Sequence, residues 1–275
     1  MPEGHTIHRH AKQQRPLLVD RTIAACSPQG RFDTGTDMID GRVLESIEPV
    51  GKHLFYHFTD GAGIVHVHLG MYGKFRVAKL ANGKAEPEPR GAVRLRLVTD
   101  AACVDLNGPT ACELLERPAY DTIKARLGPD LLDPNADREA VWQRISKSKA
   151  AIGAMLMDQS VVSGIGNIYR AELLYRAGIH PLTPAKALGR ERFDALWADA
   201  VAQLKIGVRV GRIVTTEPSE FGVKTHRQLT ADRRFYVYRR DKCLRSGQKV
   251  ERLTIGGRTC YACPAEQERL DRARG

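Results

Sequence analysis

The hydrophobic period of this chain changes once along its length, and that change restricts the fold more than any other feature. From about Arg42, apolar residues recur at every second position. Leu54, Tyr56 and Phe58 alternate with Phe55 and His57. Val65, Val67 and Leu69 alternate with Ile64, His66 and His68, and Val93, Leu95 and Leu97 with Arg94 and Arg96. A period of two places successive side chains on opposite faces of a strand. Short runs of this kind, parted by Gly, Asp and Asn turns, predict an antiparallel β-sandwich or barrel over residues 1–120. Pro118, Gly128-Pro129 and Pro134 mark 117–136 as a hinge or linker. Beyond it the period becomes helical. Phe193, Leu196, Trp197, Ala200, Val201 and Leu204 follow i, i+3, i+4, i+7, i+8, i+11 and predict a helix over 190–205. Ile152, Met155, Leu156 and Gln159 form a shorter face. The helical domain is set at 121–230, with a loop at about 214–230, and a basic hairpin around Gly256-Gly257 at 231–275. At the other end, residues 5–18 can form a helix with Ile7, Ala11 and Leu18 on one side, broken near Pro16. The Gly-, Glu- and Pro-rich segment 79–91 reads as an exposed loop. The class is α+β, and there is no internal repeat.

Charge narrows the partner. Net charge is +11, and residues 223–275 hold fourteen Lys/Arg against six Asp/Glu, so most of the excess lies in the last fifth of the chain. A basic end of this size points to a polyanion, most often nucleic acid, with a solubilising surface or a membrane-facing patch as the alternatives. No apolar run is long enough to span a bilayer. His5, His8, Arg9 and His10 fall where a signal peptide would be apolar, so an intracellular protein is expected. Cys26, Cys103 and Cys112 are scattered among apolar residues and read as reduced core thiols.

The first residues, Met1-Pro-Glu-Gly4, offer chemistry. A small residue after the initiator favours removal of Met1, which would expose the secondary amine of Pro2 beside the carboxylate of Glu3. An α-amino group titrates nearer neutrality than a lysine does, so it can act as a nucleophile at physiological pH. Glu3 can supply general acid or base help. Many chains begin Met-Pro, and the stretch carries weight only with the rest. A second stretch runs from Met155 to Glu172. Gly164 and Gly166 permit a tight turn, and Asn167 stands where the next helix begins. Backbone N–H groups there can seat a phosphate, although glycine-rich helix junctions are common.

Five short motifs occur in register: Met1-Pro-Glu-Gly4, Gly51-Lys-His-Leu54, Leu156-Met-Asp-Gln159, Gly164-Ile-Gly-Asn-Ile-Tyr169 and Gly256-Gly-Arg258. Together they resemble the formamidopyrimidine-DNA glycosylase / endonuclease VIII family across essentially the whole chain. Gly4-His-Thr-Ile7 and Ser27-Pro-Gln-Gly30 are more similar to the endonuclease VIII side. The resemblance implies an N-terminal β-sandwich, a helix–two-turn–helix module and a β-hairpin finger usually built on zinc, with DNA bound between the halves. It implies Pro2 as nucleophile and Glu3 as the acid that opens the sugar. Lys52, Asn167 and Arg258 would be phosphate ligands, and Glu172 a site glutamate of the endonuclease VIII branch. Enzymes that act on a base must rotate it out of the stack and fill the gap. Met71 and Tyr72, in the loop Leu69-Gly-Met-Tyr-Gly73, are placed to be that wedge, or else form a hydrophobic turn on the sandwich.

Two departures bear on the expectation. The two Cys-x-x-Cys pairs of the family read here as Cys243-Leu-Arg-Ser246 and Cys263-Pro-Ala-Glu266. Cys243, Cys260 and Cys263, with Glu266 or water, would be a zinc set in a shifted register. Structural zinc sites close with four Cys or His ligands, and this reading favours a finger without zinc. The second departure is Asp105-Leu-Asn-Gly-Pro-Thr110, which lacks the arginine and phenylalanine that the formamidopyrimidine branch carries there. That favours oxidised pyrimidines over 8-oxoguanine. The expected function is a bifunctional base-excision glycosylase and abasic-site lyase acting on damaged double-stranded DNA. It would work through a Pro2 Schiff base and β/δ-elimination, without metal or redox cofactor in the chemistry. A glycosylase for bulky alkylated or crosslinked bases and a silent damaged-DNA binder are the alternatives. A monomer in the bacterial cytoplasm, associated with the nucleoid and not with membranes, completes the expectation.

Overall fold

The computed structural model describes residues 2–80 and 85–270. Met1, the stretch 81–84 of the expected exposed loop and the last five residues of the finger domain lie outside the described residues. The chain divides at Ala125/Arg126 into two units.

In the first unit, helix α1 (Gly4–Leu18) precedes two four-stranded antiparallel sheets. One has the order β1 (Ala24–Cys26), β6 (Val93–Val98), β7 (Ala102–Asn107), β5 (Lys74–Lys79). The other has the order β2 (Leu44–Val50), β3 (His53–Phe58), β4 (Ile64–His68), β8 (Ala111–Leu115). Helices α2 (Asp33–Ile39) and α3 (Arg117–Ala125) complete the unit. The alternation in the sequence is the sandwich interior: Leu54, Tyr56, Phe58, Val65, Val67, Leu95 and Leu97 share one core with Ile7, Ala11 and Leu18 of α1. Pro16 does not break α1. It lies in the last turn, where it removes the single bond its N–H would have given Lys12 O only two residues before the helix ends, and the turn is held by Val19 N–H to Arg15 O at 3.0 Å. The Arg15 guanidinium also donates to Ile47 O at 2.7 Å.

The first part of the expected linker is α3. Pro118 occupies its first turn, where the lost donor would have had no partner inside the helix. Buried Tyr120 meets Phe55 edge to face and donates its hydroxyl to Glu48 at 2.5 Å, while Lys124 Nζ donates to the other Glu48 oxygen at 2.8 Å. This covers the outer face of β3 and explains why Phe55, on the face away from the sandwich core, is fully buried and His57 partly so.

The second unit contains α4 (Arg138–Ile145), α5 (Ile152–Met155), α6 (Asn167–Arg176) and α7 (Arg190–Val210). Asp137 caps α4 by accepting from Ala140 N–H at 2.9 Å. Helix α7 starts where the period predicts and runs five residues further, to a left-handed Gly211. The α5 helix ends at Met155, so Leu156 and Gln159 of the expected face lie beyond it. The chain then turns twice before α6, and Gln159 holds those turns, donating to Met157 O (2.9 Å) and Ile165 O (3.0 Å) and accepting from Gly164 N–H (3.2 Å). The segment after α7 carries short 3-10 turns at Pro218–Phe221, His226–Gln228 and Ala231–Arg233. Strands β9 (Glu251–Ile255) and β10 (Arg258–Ala262) form the expected hairpin. Gly256 and Gly257 both have positive φ, 59° and 70°, as a tight turn between twisted strands requires. Ile255, Cys260 and Cys263 join Leu173, Leu174 and Tyr175 of α6 in one core, so the finger is continuous with the helical unit. Among the described residues, no helix is long and apolar enough to cross a membrane.

Candidate active site and nucleic-acid interface

Pro2 is partly exposed, and Glu3 beside it is fully buried. Glu3 is the extended N-cap of α1, and its carbonyl accepts Thr6 N–H at 2.8 Å. A carboxylate in this place faces the positive end of the helix dipole. Burial pushes the His5 imidazole down to about 3, which keeps it neutral at physiological pH. With Met1 removed, the start of α1 presents a secondary amine next to a water-shielded carboxyl group.

Lys52 sits in the turn between β2 and β3. The next residue, His53, pairs in register with His68, the last residue of β4. Burial first, then the charge of Lys52, lowers the His68 pKa. The loop Leu69–Gly73 leaves β4 at this end and carries two exposed apolar side chains, Met71 (58% exposed) and Tyr72 (81%). Gly70 has φ 64°, and a Cβ there would stand 1.7 Å from Thr110 Oγ1, so the loop presses on the β7–β8 connection. That connection is only Gly108-Pro109-Thr110, with no projecting arm. Lys52, His68, Met71 and Tyr72 therefore share one end of one sheet: two groups able to donate to a phosphate beside two apolar side chains held in water. His68 was not singled out from the sequence; its signal is the run of histidines at 53, 57, 66 and 68 on paired strands.

In the second unit, Asn167 and Arg258 come together through one carbonyl. Asn167 Nδ2 donates to Thr259 O at 2.8 Å. Arg170 donates to the same oxygen at 3.2 Å, to Ile255 O at 3.2 Å, to Gly153 O at 3.3 Å and to Asn167 Oδ1. A guanidinium only donates, so it fixes which end of the Asn167 amide carries the hydrogens. Arg258, the residue before Thr259, is exposed at the fingertip. Arg170 was also missed in the sequence, where its mark is a lone cation in an otherwise apolar turn, Ile168-Tyr-Arg-Ala171.

The structure gives Glu172 a different place from a DNA contact. It is fully buried. Its carboxylate accepts from Thr215 Oγ1 (2.6 Å) and from the backbone N–H groups of Tyr236 (2.8 Å), Val237 (2.9 Å) and Tyr238 (2.7 Å). It fastens the segment after α7 to α6. The three-sulfur zinc set is likewise not assembled. Among the described residues no group of three or more His, Cys, Asp or Glu is placed to hold a metal ion. The Cys260 thiol is fully buried against Tyr261 O at 4.0 Å, whereas Cys263 Sγ faces Ser246 Oγ at 4.0 Å and the Cys243 thiol donates to the Tyr175 hydroxyl at 3.2 Å.

Two family models match the chain: the formamidopyrimidine-DNA glycosylase N-terminal domain over residues 1–111 and the H2TH domain of the same glycosylase over 127–219. The chain belongs to the formamidopyrimidine-DNA glycosylase / endonuclease VIII family of base-excision repair, whose members are DNA glycosylases and abasic-site lyases. Within it the chain stands on the endonuclease VIII side. It is 41% identical to "Endonuclease 8 1" of Mycobacterium tuberculosis over 270 residues, covering 97% of this chain and all of that protein. It is 30% identical to the formamidopyrimidine-DNA glycosylase of Exiguobacterium sp., over 98% of this chain and all of that protein. The fold is also that of Lactococcus lactis Fpg in complex with abasic-site DNA, with a TM-score of 0.76 at 21% identity, covering 97% of this chain and 99% of that one.

Proposed function

We propose that the protein is a bifunctional glycosylase and lyase that excises oxidised pyrimidines through a Schiff base on Pro2. The arrangement of Pro2 and Glu3 carries this reading: a partly exposed amine next to a fully buried carboxyl group at the start of α1. The positive end of the α1 dipole favours the neutral, nucleophilic amine. The Pro2 nitrogen attacks C1′ of the damaged nucleotide while Glu3 protonates O4′, which opens the sugar and releases the base. The resulting iminium acidifies the C2′ proton, so β-elimination cuts the strand 3′ to the lesion, and δ-elimination then cuts on its 5′ side. Lys52, Asn167 and Arg258 hold phosphates, with salt-sensitive affinity. Met71 and Tyr72 fill the space the flipped nucleotide leaves. The short Gly108-Pro109-Thr110 turn supports pyrimidines, because it offers no arm that would read the partner of an oxidised purine. None of these steps calls on a metal.

Borohydride trapping on duplexes containing an abasic site or thymine glycol tests the proposal, with intact mass used first to show that the chain starts at Pro2. A covalent adduct that Met1-retaining protein does not form is expected. Tight binding with no adduct, from protein that begins at Pro2, would overturn it.

A further inference from the structure

The four finger positions where the family usually places zinc ligands hold Cys243, Ser246, Cys263 and Glu266. This donor set does not fit a structural zinc site. Such sites close with four Cys or His ligands, and here two positions carry a hydroxyl and a carboxylate. The remaining sulfur, Cys260, does not join them: its thiol is fully buried on β10 against Tyr261 O at 4.0 Å, and among the described residues no three His, Cys, Asp or Glu are grouped to hold a metal. What joins these positions instead is a side chain from another element. Tyr175, on α6, is buried, and the Cys243 thiol donates to its hydroxyl at 3.2 Å. That hydroxyl donates on to Glu266 Oε2 at 3.4 Å. Ser246 Oγ lies 4.0 Å from Cys263 Sγ. Arg245 closes the outside, its guanidinium 4.5 Å from the Tyr236 ring centre and bonded to Glu220 at 2.6 Å.

We infer that the finger is metal-free and that the Tyr175 hydroxyl takes the place of the ion, linking the two halves of the finger base to α6 through Cys243 and Glu266. Zinc would tie the finger only to itself. The tyrosine ties it to the helix whose first residue, Asn167, bonds the fingertip strand. Further bonds brace the same joint: Cys263 N–H to Gln267 Oε1 at 2.7 Å, Gln267 Nε2 to Ile179 O at 2.8 Å, and Glu268 N–H to Gly178 O at 2.8 Å. Tyr175 is thus a positioning residue for the hairpin that carries Arg258. It touches no reacting atom.

The test uses the full chain, expressed with zinc in the medium. Elemental mass spectrometry should find far less than one zinc per chain, and a strong chelator should leave both the melting temperature and hairpin amide exchange unchanged. Tyr175→Phe keeps the ring and removes only the hydroxyl. It should speed hydrogen exchange across 250–262 while leaving α7 unchanged, and weaken binding to a duplex with a tetrahydrofuran site by roughly two- to tenfold, the worth of one buried hydrogen bond. The double variant Ser246→Cys/Glu266→Cys restores four thiols and should gain about one zinc per chain together with sensitivity to the chelator. Stoichiometric zinc in the wild type, with hairpin protection lost on chelation, would overturn the inference. So would a Tyr175→Phe protein whose hairpin exchanges like the wild type. Metal content and exchange do not depend on turnover, so these results stand apart from the fate of the Pro2 mechanism.

Discussion

Glu172→Ala removes the acceptor of four donors at once: the Thr215 hydroxyl and the backbone N–H groups of Tyr236, Val237 and Tyr238. The hydroxyl can turn to Arg234 O, 3.1 Å away, but the three N–H groups are fixed by the chain. An orphaned buried N–H costs about 1–3 kcal/mol, and water entering the emptied space offsets part of it. The expected loss is on the order of 4 kcal/mol, or roughly 10 °C in melting temperature for a unit of this size. Glu172→Gln keeps one oxygen for two of the donors and turns its amide nitrogen toward the others, so it should cost about half as much. Burial outweighs the four donors and raises the Glu172 pKa. Its contribution is therefore present at acid pH and lost as pH rises from the ordinary carboxylate range through the raised value, a dependence that Glu172→Gln abolishes. Thermal and urea unfolding of the full chain measure the loss, with binding to a tetrahydrofuran duplex measured well below the transition. An alanine variant as stable as the wild type to within about 0.5 kcal/mol, yet tenfold weaker on DNA, would refute the structural role and return Glu172 to the DNA surface.

Gly70→Ala should destabilise the first unit by about 2 kcal/mol through left-handed backbone strain and the clash with Thr110. Adding Thr110→Ala should recover only the clash, as read by thermal unfolding. Tyr72→Ala should leave stability within about 0.5 kcal/mol, because the side chain is 81% exposed, while weakening lesion-duplex binding about tenfold, the loss of one stacked ring. Glu48 is held at about 2, first by its hydrogen bond from His57 and further by Lys124 and Tyr120. The stability it supplies is present above the usual carboxylate pKa and lost as pH falls from there toward 2, so Glu48→Gln should flatten the acid limb of an unfolding-versus-pH curve.

The strands, α7 and the Gly256-Gly257 hairpin were legible because each rests on local periodicity or turn chemistry. The helix-breaking role expected of Pro16 and Pro118 failed for a positional reason. A proline in the first turn loses a donor that has no partner inside the helix, and one in the last turn loses a single bond where the helix is about to end; a count of prolines records neither position. Glu172, Arg170 and Cys260 were legible only as residue types. A carboxylate reads the same whether it meets phosphate-bound solvent or three backbone N–H groups from a segment more than sixty positions away. The motif set marked Lys52, Asn167 and Arg258, but the joint between Asn167 and the fingertip depends on a carbonyl, which no sequence pattern displays. Tyr175 escaped notice for a similar reason: among Leu173, Leu174 and Tyr175 it reads as one more apolar residue, and its hydroxyl gains meaning only beside Cys243 and Glu266.

The Thr259 carbonyl, gripped by both Asn167 and Arg170, has a kinetic consequence. The junction before α6 and the tip of the hairpin move as one body, so the spacing between Asn167 and Arg258 is set when the chain folds and not at each encounter with DNA. A protein that inspects long undamaged stretches meets a backbone of uniform charge spacing. On the proposed reading, in which Asn167 and Arg258 both hold phosphates, such a pair would meet every phosphate step alike, without a slow closure at each one. Dwell time is then left to vary with what differs along the duplex: how readily it bends and how easily one nucleotide leaves the stack.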